Sequence, residues 1–144
     1  MRLFNQDTKV QALKQTPLFE DLSRKELTQL ARVSDDVEVS AGQLLCKEGD
    51  IGHEFFVIIE GEVDVTRKGK RVATRGSGSF LGEIALLEQV PRMATVKTKT
   101  PVRCFVLTSK DFRHLVDANP SVERKVLRAL ARRVVELSSD PTIA

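Results

Sequence analysis

Residues 78–95 read Gly78-Ser-Phe-Leu-Gly-Glu-Ile-Ala-Leu-Leu-Glu-Gln-Val-Pro-Arg-Met-Ala-Thr95. The stretch sets one carboxylate, Glu83, and one guanidinium, Arg92, at opposite ends of a short glycine-opened turn and loop. Arginine presents a planar fork of donors that matches two phosphate oxygens, a carboxylate accepts from a sugar hydroxyl, and free N–H groups at the start of a turn favour an anion. Such a set suits a small sugar phosphate. Gly82 adds a position without Cβ, which serves either a simple tight turn or the close approach of a phosphate or ribose to the backbone.

On either side the chain breaks into short apolar runs punctuated by glycine, at 37–40, 43–46, 54–59, 62–66, 71–74, 92–99 and 102–107. Runs of this length predict strands, and this many imply a β-sandwich or jelly roll. Gly49 and Gly52 bracket one loop, Gly61 breaks a long hairpin, Gly69 sits at its tip, and Gly76 with Gly78 leads into the quoted stretch. Each of these reads as a turn residue.

Helices flank the strands. Ser23 and Glu26 form a capping box before Leu27, Leu30 and Ala31, which predicts a short helix after Pro17-Leu-Phe19. Residues 1–16 read as a lead segment, loosely packed or another short helix. Thr108 with Asp111 offers a second capping box for a helix near Phe112 to Val116, and Asn119 with Pro120 supplies the N-cap and first-turn proline of a long final helix. Val122, Val126, Leu130, Val134 and Leu137 form its apolar stripe, flanked by Arg124, Lys125, Arg128, Arg132 and Arg133. That stripe is expected to pack on the strands, on a second chain, or on both.

A chain of 144 residues, 41% hydrophobic and 30% charged, is one ordinary soluble domain with room for a real core. The N-terminal stretch to Lys14 has no apolar signal region, and the longest apolar run, Phe55 to Ile59, is too short to span a bilayer, so the expected location is the cytoplasm. Cys46 and Cys104 lack any C-x-x-C spacing and read as reduced thiols, with a disulfide left open. Net charge is +3, but the densest basic run, Arg67 to Arg71, reads as a solvated hairpin turn and argues little for nucleic acid.

Phe80-Leu-Gly-Glu-Ile-Ala-Leu86 followed by Pro91-Arg-Met-Ala-Thr95 resembles the phosphate-binding cassette of cyclic-nucleotide-binding domains. The similarity runs from about Pro17 through the final helix, in the order of parts seen in the regulatory domains of catabolite activator proteins and of cAMP-dependent protein kinase. The resemblance implies an eight-stranded β-roll of jelly-roll type over about residues 36–107. It further implies C-terminal helices over about 109–139, a domain at 17–139, and a frayed tail at 140–144. It assigns Arg92 to the cyclic phosphate with the N–H groups of Ile84 and Ala85, Met93 beside them, and Glu83 with Gly82 to the ribose. It places Val72 and Ala73, and from the last helix Arg133, Leu137 and Ser138, near the base or as a lid, with Arg133 close to Glu83. Met93 departs from the Ser, Thr or Ala that many relatives carry, and the lost hydroxyl favours cAMP over cGMP.

The expected function is therefore a non-catalytic sensor of a cyclic nucleotide, most simply cAMP, without cofactor or metal, acting on an effector protein or a homodimer through its last helix. No direct DNA binding is expected, because too few residues follow that helix for a helix-turn-helix. The alternatives are a ligand-independent interaction or dimerisation module, and a cupin-like metal enzyme suggested by His53 near Glu54 and Glu60-Gly61. The cupin ligand count fails, since the chain has only His53 and His114. No nucleophile motif or Walker loop is present.

Overall fold

A computed structural model describes residues 6–138; the tail at 140–144 and the first five positions of the lead segment lie outside the described residues. Among these described residues eight strands form two four-stranded antiparallel sheets. One sheet has the order β1 (Asp35–Val39), β8 (Val102–Thr108), β3 (Glu54–Glu60), β6 (Phe80–Leu81). The other has the order β2 (Leu44–Cys46), β7 (Thr95–Thr98), β4 (Val63–Arg67), β5 (Lys70–Arg75). This is the expected eight-stranded β-roll. The helices are α1 (Gln6–Lys14), α2 (Arg24–Arg32), α3 (Ser109–Ala118) and α4 (Pro120–Leu137), with a 3-10 turn at Pro17–Phe19.

The apolar run of β3 explains how roll and helices share one sheet. Successive side chains of a strand point to opposite faces. Phe55 and Val57, with Phe105 and Leu107 of β8, pack against Phe19, Phe112, Val122 and Val126 of the helical layer. Phe56 and Ile58, with Val102 and Cys104, face the roll interior against Val63 and Val96. β3 is covered on both sides, so its pattern is continuous rather than alternating. The rings of Phe19 and Phe55 meet edge to face at 5.8 Å. Val10 and Leu13 of α1 are buried in the same helical core, which ties the lead segment to the roll.

The two capping boxes differ in detail. Ser23 Oγ accepts from the Glu26 N–H at 3.2 Å and Glu26 Oε1 accepts from the Ser23 N–H at 2.8 Å, closing both halves of the motif. Ser23→Ala is expected to cost about 1 kcal/mol in urea unfolding. Thr108 Oγ1 accepts from the Asp111 N–H at 3.1 Å and starts α3. Pro120 opens α4 as expected, but the Asn119 side chain does not cap it. Its amide donates to the Leu115 carbonyl at 2.9 Å and closes α3 instead.

Three further expectations change. The strand read at 92–99 is ordered only at Thr95–Thr98, and Arg92 sits in the bend before it, because Arg92 bonds its backbone to the 49–50 loop rather than to a strand. Phe80–Leu81, read as part of the turn, is a short strand on β3. In α4 the buried positions are Val122, Val126 and Ala129, while Val134 is 56% exposed. Steps of four residues overshoot a full turn by about 40°, so the row Val122, Val126, Leu130, Val134 drifts off the packed face.

Candidate functional site

A cavity of about 330 Å³ opens where the quoted stretch crosses the mouth of the roll. Leu81, Gly82, Glu83, Ile84 and Ala85 form one wall, Val90 to Ala94 another, and Cys46, Val65 and Val96 the floor. Its size suits a small molecule.

The first wall begins where β6 pairs with β3, Leu81 opposite Phe56. Gly82 then takes a left-handed conformation, φ +79, and starts the 3-10 turn Glu83–Leu86. Only glycine does this without strain. The Ala85 N–H donates to the Gly82 carbonyl at 3.0 Å, so in this conformation it is engaged within the turn. Ile84 is exposed at the rim.

Arg92 is held along its whole length. Its N–H donates to Asp50 O at 2.7 Å, and its carbonyl accepts from the Gly49 N–H at 2.9 Å. Nη2 donates to the Glu54 carbonyl at 2.8 Å, and the guanidinium lies 6.0 Å from the Phe56 ring centroid. Met93, next to it, is 71% exposed on the rim.

Glu83 is bound on one oxygen and bare on the other. Oε1 lies 3.2 Å from Nη2 of Arg133 on α4, and the carboxylate side chain is only 13% exposed. Among the described residues no donor reaches the buried Oε2. Burial pushes the Glu83 carboxyl above its usual range, and the Arg133 charge opposes that rise. Arg133 also sits 5.8 Å from the Phe80 ring centroid. A buried acceptor with no donor is costly, and a hydroxyl offered from the cavity would satisfy it.

The remaining sequence-derived positions scatter. Val72 and Ala73 stand on β5, the edge strand, and are not among the residues lining the cavity; Val65, which pairs with Ala73 from the neighbouring strand, lines it instead. Ser138 is exposed at the end of α4, and the Leu137 side chain lies outside what is described. Sequence reasoning passed over Cys46, Val65, Val90 and the Glu54 carbonyl. Strand alternation could have found Val65 and Val96 together, since they are register partners; a main-chain acceptor leaves no trace in the sequence. Burial raises the Cys46 thiol above its usual range despite the nearby Arg92 charge, so it is held as a neutral thiol. Both cysteines are free. Among the described residues no three metal-ligating side chains converge, and no helix is long and apolar enough to cross a membrane.

The family model for the cyclic nucleotide-binding domain matches residues 36–119. A cyclic nucleotide-gated potassium channel of Rhizobium etli is 36% identical over 118 residues, covering 81% of this chain and 33% of the relative. A cAMP-dependent protein kinase regulatory subunit of Yarrowia lipolytica is 37% identical over 106 residues, covering 72% of this chain and 28% of the relative. The chain thus spans a third or less of the curated relatives it matches. The N-terminal domain of a transcriptional regulator from Streptomyces coelicolor A3(2) superposes with a TM-score of 0.83 at 28% identity, covering 92% of this chain and 99% of that one. The match begins in β1, takes in every strand of the roll and the whole cassette, and ends as α3 closes; the chain belongs to the cyclic nucleotide-binding domain family.

Proposed function

We propose that this domain is a non-catalytic cytoplasmic sensor that binds cAMP at the roll mouth and reports occupancy through α4. The carrying observation is that one cavity brings together the forked donor of Arg92 and a buried, unpartnered carboxylate oxygen of Glu83. Arg92 takes the cyclic phosphate, with the Ile84 N–H and, once released from Gly82, the Ala85 N–H. Glu83 Oε2 accepts from the ribose 2′-hydroxyl beside Gly82. The base lies against Val65, Cys46, Val90, Met93 and Val96, which offer no side-chain hydroxyl or amide. Guanine carries more polar edge groups than adenine, and a wall that leaves them unpaired favours adenine. The name of the Yarrowia lipolytica relative, a cAMP-dependent protein kinase regulatory subunit, supports the same choice.

α4 reads the site through Arg133, because Oε1 of the carboxylate that meets the ribose also holds the helix. A ligand that alters Glu83 alters its hold on Arg133, and the helix shifts by as much as the ligand prefers one arrangement over the other. Leu137 and Ser138, which follow Arg133, are the lid positions of this reading. Calorimetric titration tests it. Saturable cAMP binding with weaker cGMP binding is expected, and no heat with either nucleotide would sink the sensor reading.

A pH experiment addresses Glu83 and Arg133 together. A protonated carboxyl is a poorer acceptor, so cAMP affinity is expected to fall as pH drops through the raised Glu83 pKa. Arg133→Gln removes the influence that lowers that pKa, so the fall should begin at higher pH, with affinity reduced about three- to tenfold. Superimposable pH profiles would show that Arg133 does not tune Glu83.

A second reading has its own observation. Leu127, Val134 and Val135 on α4 are 54%, 56% and 72% exposed, an apolar face suited to a second copy or an effector. Self-association insensitive to nucleotide, seen by sedimentation, would favour a ligand-independent interaction module.

A further inference from the structure

We propose that Gly52 is a positioning residue for the ligand phosphate, its missing side chain being what allows the Arg92 guanidinium to lie where it does. The proposal rests on Arg92 being the phosphate-binding group.

An ideal Cβ on Gly52 would stand 2.7 Å from both Cζ and Nε of Arg92 and 3.0 Å from its Cδ. Side-chain carbons do not approach so closely, so the guanidinium occupies space that any other residue at position 52 would fill. On the other side, a Cβ on Gly82 would lie 2.2 Å from Arg92 Nη1. Arg92 therefore runs through a slot between two glycines from distant parts of the chain. The Glu54 carbonyl takes Nη2 within that slot.

The two glycines have different reasons to be glycine. Gly82 has φ +79, so its backbone would strain any other residue whatever the space around it. Gly52 is outside the left-handed region, and its backbone would accept alanine. Its N–H donates to the Val90 carbonyl at 3.2 Å, a bond that alanine keeps. The three atoms nearest to that Cβ all belong to the Arg92 side chain.

Fixing a long arginine before the ligand arrives removes the cost of ordering it on binding. Alanine at 52 would push aside the far end of a flexible side chain and leave the backbone in place, so affinity changes and the fold stays.

The test is calorimetry with cAMP on Gly52→Ala, Arg92→Ala and the double variant, together with NMR of the arginine Nε–Hε signals without nucleotide. The Arg92 signal is identified by its loss in Arg92→Ala. Gly52→Ala is expected to weaken cAMP binding about tenfold or more, to cost nothing further in the Arg92→Ala background, and to shift the Arg92 signal. Unchanged affinity, or an equal loss in both backgrounds, would overturn the proposal. If the wild-type protein binds no cyclic nucleotide, the phosphate assignment falls, and the NMR shift, which needs no ligand, still decides whether Gly52 sets the position of Arg92.

Discussion

Replacing Arg92 with alanine is expected to weaken cAMP binding by about a hundredfold or more, close to 3 kcal/mol, while leaving the ligand-free fold intact. The size follows from the geometry. A guanidinium offers parallel donors to two phosphate oxygens, each a charge-assisted bond, and the half-buried site screens them less than water would. The fold should survive because Arg92 belongs to neither core. Its loss removes one bond to the Glu54 carbonyl, and β3 keeps its pairing with β8 over Glu54–Glu60. Arg92→Lys should fall between the two proteins, since an ammonium supplies the charge without the fork. Calorimetry gives the affinities and a melting curve without nucleotide gives the stability. Wild-type affinity in Arg92→Ala would move the phosphate to another place.

Glu26→Ala is expected to lower unfolding stability by about 3 kcal/mol at neutral pH. Glu26 completes the α2 capping box, and it also reaches α4. Oε1 accepts from Lys125 Nζ at 2.7 Å and Oε2 from Ser121 Oγ at 2.7 Å. Burial of the carboxyl would raise its pKa, but the bonds from Lys125, Ser23 and Ser121 together hold it at about 2, against an ordinary 4.5. A depressed folded-state pKa means that the contribution is complete above about 4.5 and is lost as pH falls towards 2. Urea unfolding across that range should show the wild type losing stability faster than Glu26→Ala, so the two curves converge in acid. Parallel curves would show that the carboxylate does not join the helices.

α4 has a third anchor beside Lys125 and Arg133. Arg132 donates to Glu20 Oε1 at 3.0 Å and pairs with Asp21 in the segment that follows the 3-10 turn. Neighbouring arginines thus face different partners, Arg132 the N-terminal segment and Arg133 the cassette. Movement of the end of α4 would be felt at both.

The amino-acid sequence by itself determined whatever depends on bonds within a turn or on a short apolar run closed off by turn residues. Ser23 and Glu26 announce α2 because a capping box closes within four residues. The apolar runs of β3 and β8 mark strands because they are short and bounded by turn residues, and Glu83 and Arg92 together mark the cassette because both lie in one short stretch. Only the tertiary structure decided the rest. Gly52 reads as an ordinary turn glycine until the fold lays Arg92 across it, and Glu26 reads as a cap until α4 arrives. The exposed turn of Val134 also depends on how far the row along α4 drifts from the packed face. Local bonds are set by neighbours in the chain, whereas these contacts join residues far apart in it and exist only once the sheets and helices have packed.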